Sequence, residues 1–216
     1  MTAERNAIIE KHKQNGVIFA DPESAFVDAE VIIGAGTHIA PNVHLVGSTV
    51  IGNDVEIGFN TEIENSKIGD GVKIRQSVIL DSEVGAKTTV GPFAYIRPHC
   101  VVGEGVKLGD FVEIKNSNIG NGTKLSHLTY VGDADVGANI NFGCGTVVVN
   151  YDGKKKYRTT ICDNAFIGCN TNLVAPVTVG ENAYTAAGST ITEDVPADTL
   201  AIARARQVVK TNWKRK

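Results

Sequence analysis

An aliphatic residue recurs at every sixth position along most of this chain. The series runs Ile33, Ile39, Leu45, Ile51, Ile57, Ile63, resumes as Val84, Val90, Ile96, Val102, Leu108, Ile114, and returns as Ile161, Ile167, Leu173, Val179, with Thr185 and Ile191 at its end. A period of six belongs neither to an α-helix nor to an ordinary long strand, whose side-chain periods are about 3.6 and 2. It belongs to a solenoid in which each hexad supplies one short strand and one corner. With the aliphatic residue as position i, position i+1 is often Gly, as at Gly34, Gly52, Gly58, Gly85, Gly91, Gly168 and Gly180. Position i+3 carries Gly36, Asn42, Asp54, Asn60, Gly122, Asn139, Asn164, Asn182 and Gly188, the residue types that best tolerate a left-handed backbone. Position i+4 is small or β-branched, as at Val55, Thr61, Val72, Thr88, Ala94, Val112, Thr129, Thr171 and Val177. Positions i and i+4 therefore point inward. Three hexads, about 18 residues, close one triangular coil that pairs with the next at about 4.8 Å. The expected fold is an all-β parallel β-helix.

The departures from the period carry information of their own. The spacing shortens to five at 63→68, 114→119 and 131→136, and twice between Ile74 and Val84, which reads as shortened corners. From Val148 to Ile161 is 13 residues, so Asn150 to Arg158 is a loop thrown off a corner. Insertions of this kind in solenoids often mark a binding face. Residues 1–20 lie outside the repeat, with a short helix expected over Ala3 to Gln14 and ended by Asn15-Gly16. Residues 21–196 form the solenoid with its loop at 150–158, and 197–216 form a basic extension that either hangs free or packs against a neighbouring subunit.

Composition narrows the classes of partner. A net charge of −3 gives no reason to expect nucleic acid. No apolar run approaches the roughly 18 residues of a membrane span, and Met1 to Gln14 is charged where a signal peptide would be apolar. The four cysteines form no CxxC pair, which points to reduced thiols in a cytoplasmic protein. No metal is expected. His38, His44, His99 and His127 do not fall at coil multiples of one another, and His12 precedes the repeat.

Several residues nevertheless gather. His127 sits at i+2 of the hexad that begins at Leu125, at a corner. Arg97 and Lys115 are both at i+1 and lie 18 residues apart, so they stack on one face in adjacent coils, with Tyr130 on that face one coil further along. Stacked cations repel unless an anion lies between them, and a sugar phosphate is a suitable one. Paired surface cations also occur with no ligand at all. His127, Cys144, Cys169 and Ala187 are each at i+2 of hexads that begin at 125, 142, 167 and 185. The steps of 17, 25 and 18 are one coil less a short corner, one coil plus the insertion, and one plain coil. All four are therefore expected in one column along one corner.

The stretches His127-Leu-Thr-Tyr-Val-Gly-Asp-Ala-Asp135, Asn139-Ile-Asn-Phe-Gly-Cys-Gly-Thr146 and Asn150-Tyr-Asp-Gly153 resemble one family. So do Asn172 to Gly180, Ala186 to Thr190, Leu200 to Arg204, Gly91 to Pro98 and Phe111 to Lys115. The family is the C-terminal acetyltransferase domain of the bacterial bifunctional glucosamine-1-phosphate acetyltransferase / N-acetylglucosamine-1-phosphate uridylyltransferase, and the resemblance covers nearly the whole chain. It implies a left-handed β-helix, a homotrimer with active sites between subunits, and acetyl-CoA-dependent N-acetylation of glucosamine 1-phosphate on the path to UDP-N-acetylglucosamine. By motif it implies His127 as general base. Arg97, Lys115, Tyr130, Asn141 and Asn150 become sugar-phosphate contacts, with Lys156 of the basic loop contributing to either substrate. Cys144 through its backbone, Asn150, Tyr151, Cys169, Ala187 and Arg204 become the acetyl-CoA path. Two departures matter. The uridylyltransferase part is absent from these residues, so the UDP-sugar is not an expected product, and residue 169 is Cys where the family commonly has Ser. Two rival readings remain: an acyl-enzyme with Cys169 or Cys144 as nucleophile, and a non-catalytic trimeric scaffold.

Overall fold

A computed structural model of the chain describes residues 2–214. The N-terminal helix spans Ala3–Gln14, as its caps dictate. The Thr2 hydroxyl accepts from the Arg5 N–H at 3.3 Å, Glu4 stands in the first turn, and Lys11, His12 and Lys13 stand in the last. Gly16, at φ +85°, ends it. The helix closes the open end of the prism. Ile9 is buried against the first coil, and Arg5 donates to the Ala25 and Glu23 carbonyls at 2.9 and 2.6 Å while its guanidinium lies 3.9 Å from the centre of the Phe26 ring. His12 is buried with it, and burial, then the neighbouring Lys11, lowers its pKa. A solenoid needs such an end because its last coil has no neighbour to bury its core.

The chain then winds as a parallel β-solenoid in which the short strands of the inner coils pair in parallel with the strands one coil before and after, and those of the end coils with one neighbour. On the first face the rungs include His38–Ile39, Glu56–Ile57, Lys73–Ile74, Asn141–Phe142, Phe166–Ile167 and Tyr184–Thr185. On the second face they include His44–Val46, Glu62–Glu64, Val78–Leu80, Tyr95–Ile96, Val147–Val149 and Asn172–Val174. The third face is a nine-stranded sheet from Ile32–Ile33 to Val177–Val179. Two long strands, Lys107–Lys115 and Lys124–Gly132, turn the corner between the first two faces without breaking their ladder. These join the two faces into one 19-stranded sheet.

The inward positions are those the period predicts. The i residues from Ile33 to Ile191 and the i+4 residues Val55, Thr61, Val72, Thr88, Ala94, Val112, Thr129, Thr171 and Val177 are all buried. Cys100, also at i+4, belongs to this core. The i+3 corners have positive φ throughout the predicted set, from +52° at Asn60 to +74° at Gly36. The shortened corners have a mechanism of their own. Ser66, Ser77, Ser82 and Ser117 are buried just past them, and each donates its hydroxyl to the carbonyl two residues back at 2.6–2.8 Å. A buried serine thus occupies the volume of an aliphatic i+4 side chain while satisfying a corner carbonyl.

The boundaries at 20 and 196 need correction. Ile18–Phe19 already pairs with His38–Ile39, so the first coil starts before residue 20. At the other end Val195 bridges Val179, and Leu200–Ala201 pairs with Tyr184–Thr185. The coil therefore continues to Ala203, whose carbonyl accepts from the Thr190 N–H at 3.0 Å. In both places the aliphatic period lapses while the backbone ladder goes on, because ladder pairing needs N–H and C=O groups and not a particular side chain. Residues 205–214 make no ladder and are exposed.

Candidate active site

Two corners of the prism carry the candidate residues, one at each edge of the second face. The first corner holds His127. Its register partner is Asp110, and the His127 Nδ1 lies 2.6 Å from an Asp110 carboxylate oxygen. The histidine side chain is 55% exposed, so the pair is open to a ligand. The hydrogen bond from His127 holds the Asp110 carboxyl below the usual carboxylate range. Asp110 was not picked out from the sequence, although it stands 17 residues before His127 at the same i+2 position and the coil arithmetic contained it.

Above His127 the ladder runs Leu125↔Phe142↔Ile167↔Thr185. Two residues further along each strand, His127, Cys144, Cys169 and Ala187 therefore form one column, as the counting predicted. The next residues, Gly145, Asn170 and Gly188, are all left-handed. The column is kept low by close packing. A β-carbon on Gly143 would lie 2.3 Å from the Cys169 nitrogen, and one on Gly168 would lie 2.4 Å from the Thr185 carbonyl oxygen. Arg204 ends this line beyond Gly188, its Cδ 3.8 Å from where a Gly188 β-carbon would stand. Among the described residues the Cys144 N–H has no hydrogen-bond partner, whereas the Gly143 and Gly145 N–H groups on either side donate to Ile167 and Leu128. On the other side of His127 the corner changes character: Phe93, Phe111 and Leu128 are large, exposed and left-handed, and the first two rings stack at 5.4 Å.

The second corner holds the cations. Ile96 and Ile114 are in register, so Arg97 and Lys115 do stack. The expectation that an outside anion must separate them needs correction. Arg97 donates to Glu113 at 2.9 Å, and Lys115 lies 3.8 Å from an Asp133 oxygen, so the chain's own carboxylates partly balance both. Asp133 is buried, at left-handed φ, and accepts from the side-chain amides of Asn116 at 2.5 Å and of Asn150. Burial pushes its pKa up, but those two amides and Lys115 outweigh burial and leave it lowered.

Lys156 arrives at this corner from the inserted loop, which is a small hairpin. Tyr157 N–H donates to the Asn150 carbonyl at 2.9 Å, Tyr151 bridges Lys156, and the Asp152 carboxylate accepts from the Lys154 and Lys155 N–H groups at 2.7 Å. Arg158 fastens the hairpin to the third face. It grips Asp135 with two nitrogens at 2.8 and 2.6 Å and donates to the Asn116 and Ala134 carbonyls at 3.0 Å. Lys156 then faces Lys115, and this contact, ahead of burial, lowers the Lys115 pKa, with Asp133 pulling the other way. Two ammonium groups held together beside one carboxylate leave room for a further anion.

Tyr130 stands on the second face between the two corners, in register with Glu113. Asn150 is buried beside Asp133, and Tyr151 is exposed on the hairpin. Asn141 is the outlier. It pairs with Lys124 and Phe166 on the first face, which turns away from the second. Of the polar groups that complete the site, Asp110, Glu113, Asp133 and Arg158 escaped sequence reasoning, which counted coil partners for the histidine, the cations and the cysteines but not for the acidic residues or for Arg158.

Comparison with known proteins agrees with this architecture. The model of the GMPPB C-terminal domain matches residues 22–121, and that of the bacterial transferase hexapeptide (six repeats) matches residues 158–193. The bifunctional protein GlmU of Clostridium botulinum is 57% identical over 97% of this chain. The GlmU proteins of Clostridioides difficile and Clostridium acetobutylicum are 56% and 59% identical over 97% and 95% of it. The chain spans about half the length of these curated relatives, 45–46% of each. Among solved structures, the UDP-N-acetylglucosamine acyltransferases of Francisella novicida and Arabidopsis share the fold. Their TM-scores are 0.54 and 0.59, at 18% and 16% identity, over 86% and 83% of this chain and 67% and 69% of theirs. The fold in common is the left-handed parallel β-helix, whose hand is the reverse of the usual right-handed crossover.

Proposed function

This chain is a homologue of the C-terminal region of the bifunctional GlmU proteins, and on that premise we propose that it transfers the acetyl group of acetyl-CoA to the amine of glucosamine 1-phosphate. The observation that carries the reading is the His127–Asp110 pair at the foot of a column of small residues, with a cation cluster across the same face.

The acceptor amine is largely protonated near neutral pH and must lose a proton before it can attack. In the proposed mechanism the His127 Nδ1–H donates to Asp110, which leaves Nε2 as the proton acceptor. The amine nitrogen attacks the thioester carbonyl carbon. Negative charge gathers on the carbonyl oxygen, and the free Cys144 N–H is a donor suited to it. The C–S bond breaks, the proton taken by His127 goes to the departing sulfur, and the second proton lost by the original ammonium goes to solvent. The coenzyme lies along Cys144, Cys169 and Ala187 toward Arg204, where the glycine-rich corner leaves space, with Asn150 and Tyr151 of the hairpin alongside. Arg97, Lys115 and Lys156 hold the phosphate and so aim the amine, and Tyr130 contacts the sugar. From His127 to this cluster is five residues of strand, at most about 17 Å, which a sugar phosphate and two long side chains bridge.

Asn141 is reachable only from the first face. A second copy that brings its first face to this chain's second face would add it to the site, which supports a homotrimer with active sites between subunits. Thiol release from acetyl-CoA with glucosamine 1-phosphate tests the reading, with glucosamine 6-phosphate as control. Initial-rate plots are expected to intersect, the mark of a ternary complex. Parallel lines with an acetyl-thioester trapped on Cys144 or Cys169 would replace direct transfer by an acyl-enzyme.

A further inference from the structure

The four cysteines occupy very different surroundings. Cys100 is sealed in the core, and burial raises its thiol pKa. Cys162 stacks between Gly137 and Gly180 and has no sulfur in the coils on either side. Cys144 and Cys169 alone are ladder neighbours. Phe142 pairs with Ile167, Cys144 and Cys169 follow two residues along each chain segment, and the N–H of the next residue, Asn170, donates to the Cys144 carbonyl at 2.8 Å. Both are free, Cys169 is exposed and Cys144 is partly so.

We propose that Cys144 and Cys169 are a redox-sensitive dithiol that closes as a disulfide between adjacent coils and shuts the corner to acetyl-CoA. The inference rests on the proposed acetyl-CoA path for its consequence, but not for the bond itself. Neighbouring coils hold equivalent Cα atoms about 4.8 Å apart, inside the roughly 4.4–6.8 Å span that a disulfide bridges. Stacked β-carbons lie at about the same distance, slightly beyond the usual 3.5–4.5 Å of a relaxed disulfide. Closure must therefore draw the corner inward. Cys144 can follow because Gly143 and Gly145 flank it, but the close contact of Gly143 with the Cys169 backbone resists. A bond made against such resistance is easily reduced, which suits a reversible modification better than a structural link.

The reaction needs an oxidant, and a low-molecular-weight disulfide supplies it. The Cys169 thiolate, the more exposed of the two, attacks one sulfur of that disulfide. One small thiolate leaves, and a mixed disulfide remains on Cys169. The Cys144 thiolate then attacks the Cys169 sulfur and expels the second small thiolate. Two electrons have passed from the protein to the small disulfide, and the two thiol protons have gone to solvent or to the departing thiolates. The bridged sulfurs lie directly in the column between His127 and Ala187, where the pantetheine arm of the coenzyme would run.

The test uses the full chain with oxidised glutathione as probe. After brief exposure, peptide mapping is expected to find one Cys144–Cys169 cross-link, with Cys100 and Cys162 still reduced. Acetyl-CoA present during exposure should protect the pair, and dithiothreitol should restore turnover after a loss of at least about tenfold. Cys144→Ala and Cys169→Ser variants are each compared with themselves before and after oxidant, so a lower basal rate does not confuse the result. Neither should lose activity through a cross-link. Absence of the cross-link under conditions that oxidise a reference dithiol, or a cross-linked protein that turns over at the reduced rate, would overturn the inference. Lack of any turnover by the reduced protein would instead overturn the proposed acetyl transfer.

Discussion

His127 is a corner residue whose side chain carries no part of the core, so its loss should be felt in chemistry and not in folding. His127→Ala is expected to lower kcat at least about 100-fold, the usual scale for removing a general base, with an unchanged thermal midpoint. A folded variant with near-normal kcat would remove His127 from the mechanism. Asp110→Asn keeps the shape but replaces a carboxylate that accepts the Nδ1–H. A fall in kcat of about tenfold or more, with little change in the KM for acetyl-CoA, is expected of a group that positions the base. Lys115 makes a different kind of prediction. In the proposed site it binds phosphate as an ammonium, and Lys156, then burial, lower its pKa from the ordinary lysine value. As pH rises through that lowered pKa the charge is lost, so the KM for the sugar phosphate should climb at pH values where an ordinary lysine is still charged. Lys115→Arg stays charged throughout and should flatten the climb. Superimposable KM–pH profiles for the two proteins would exclude Lys115 as the titrating group. At this scale sequence reading was partial. It found the residues with unusual chemistry, His127 and the stacked cations, but not their acidic partners, because an Asp or Glu on a solvent-facing strand looks like any other until its neighbour in the next coil is counted.

The hairpin at 150–158 shows why an element can be legible in place and illegible in purpose. A step of 13 from Val148 to Ile161, where the period allows six, requires a loop, and its corner follows from the hexad count. Its direction depends on Arg158, which ties it to Asp135 and the Ala134 carbonyl of the third face and to the Asn116 carbonyl at the corner. No period encodes that contact. Arg158→Ala should release the hairpin and let Lys156 leave Lys115. The expected result is a KM for glucosamine 1-phosphate raised about tenfold, with kcat less affected, because binding and aim are lost before chemistry. A kcat defect with unchanged KM would mean that the hairpin acts on the reacting atoms and not on the phosphate. The ladder itself was legible because every coil repeats the same test of i and i+4. The ends were not, since the first and last rungs turn Phe19 and Ala201 toward the core and neither falls on the six-residue aliphatic series.

At the scale of the molecule, three observations ask for a second copy. Asn141 lies on the first face while Lys115 lies at the far edge of the second, so one small ligand cannot touch both in a single prism. Phe93, Phe111 and Leu128 hold exposed apolar side chains at left-handed corners where Asn or Gly would cost less. Phe166 and Tyr184 stack at 5.2 Å on the exposed first face, with Leu200 next in their ladder. Cyclic packing, first face against second, would cover these patches and repeat one heterologous contact three times. Sedimentation should then find trimers at micromolar concentration, and a stable monomer would reject the arrangement. Mixing gives the sharper test. Lys115→Ala and Asn141→Asp should each be nearly inactive alone, the first without a phosphate ligand and the second with a carboxylate set against the sugar phosphate. In every mixed trimer, one of the three contacts joins an intact Lys115 from one copy to an intact Asn141 from the next. Random exchange of equal amounts makes three-quarters of the trimers mixed, so about a quarter of all sites should be whole again. If both residues serve the same copy, each mixed trimer keeps only broken sites, and refolding the two variants together should restore nothing.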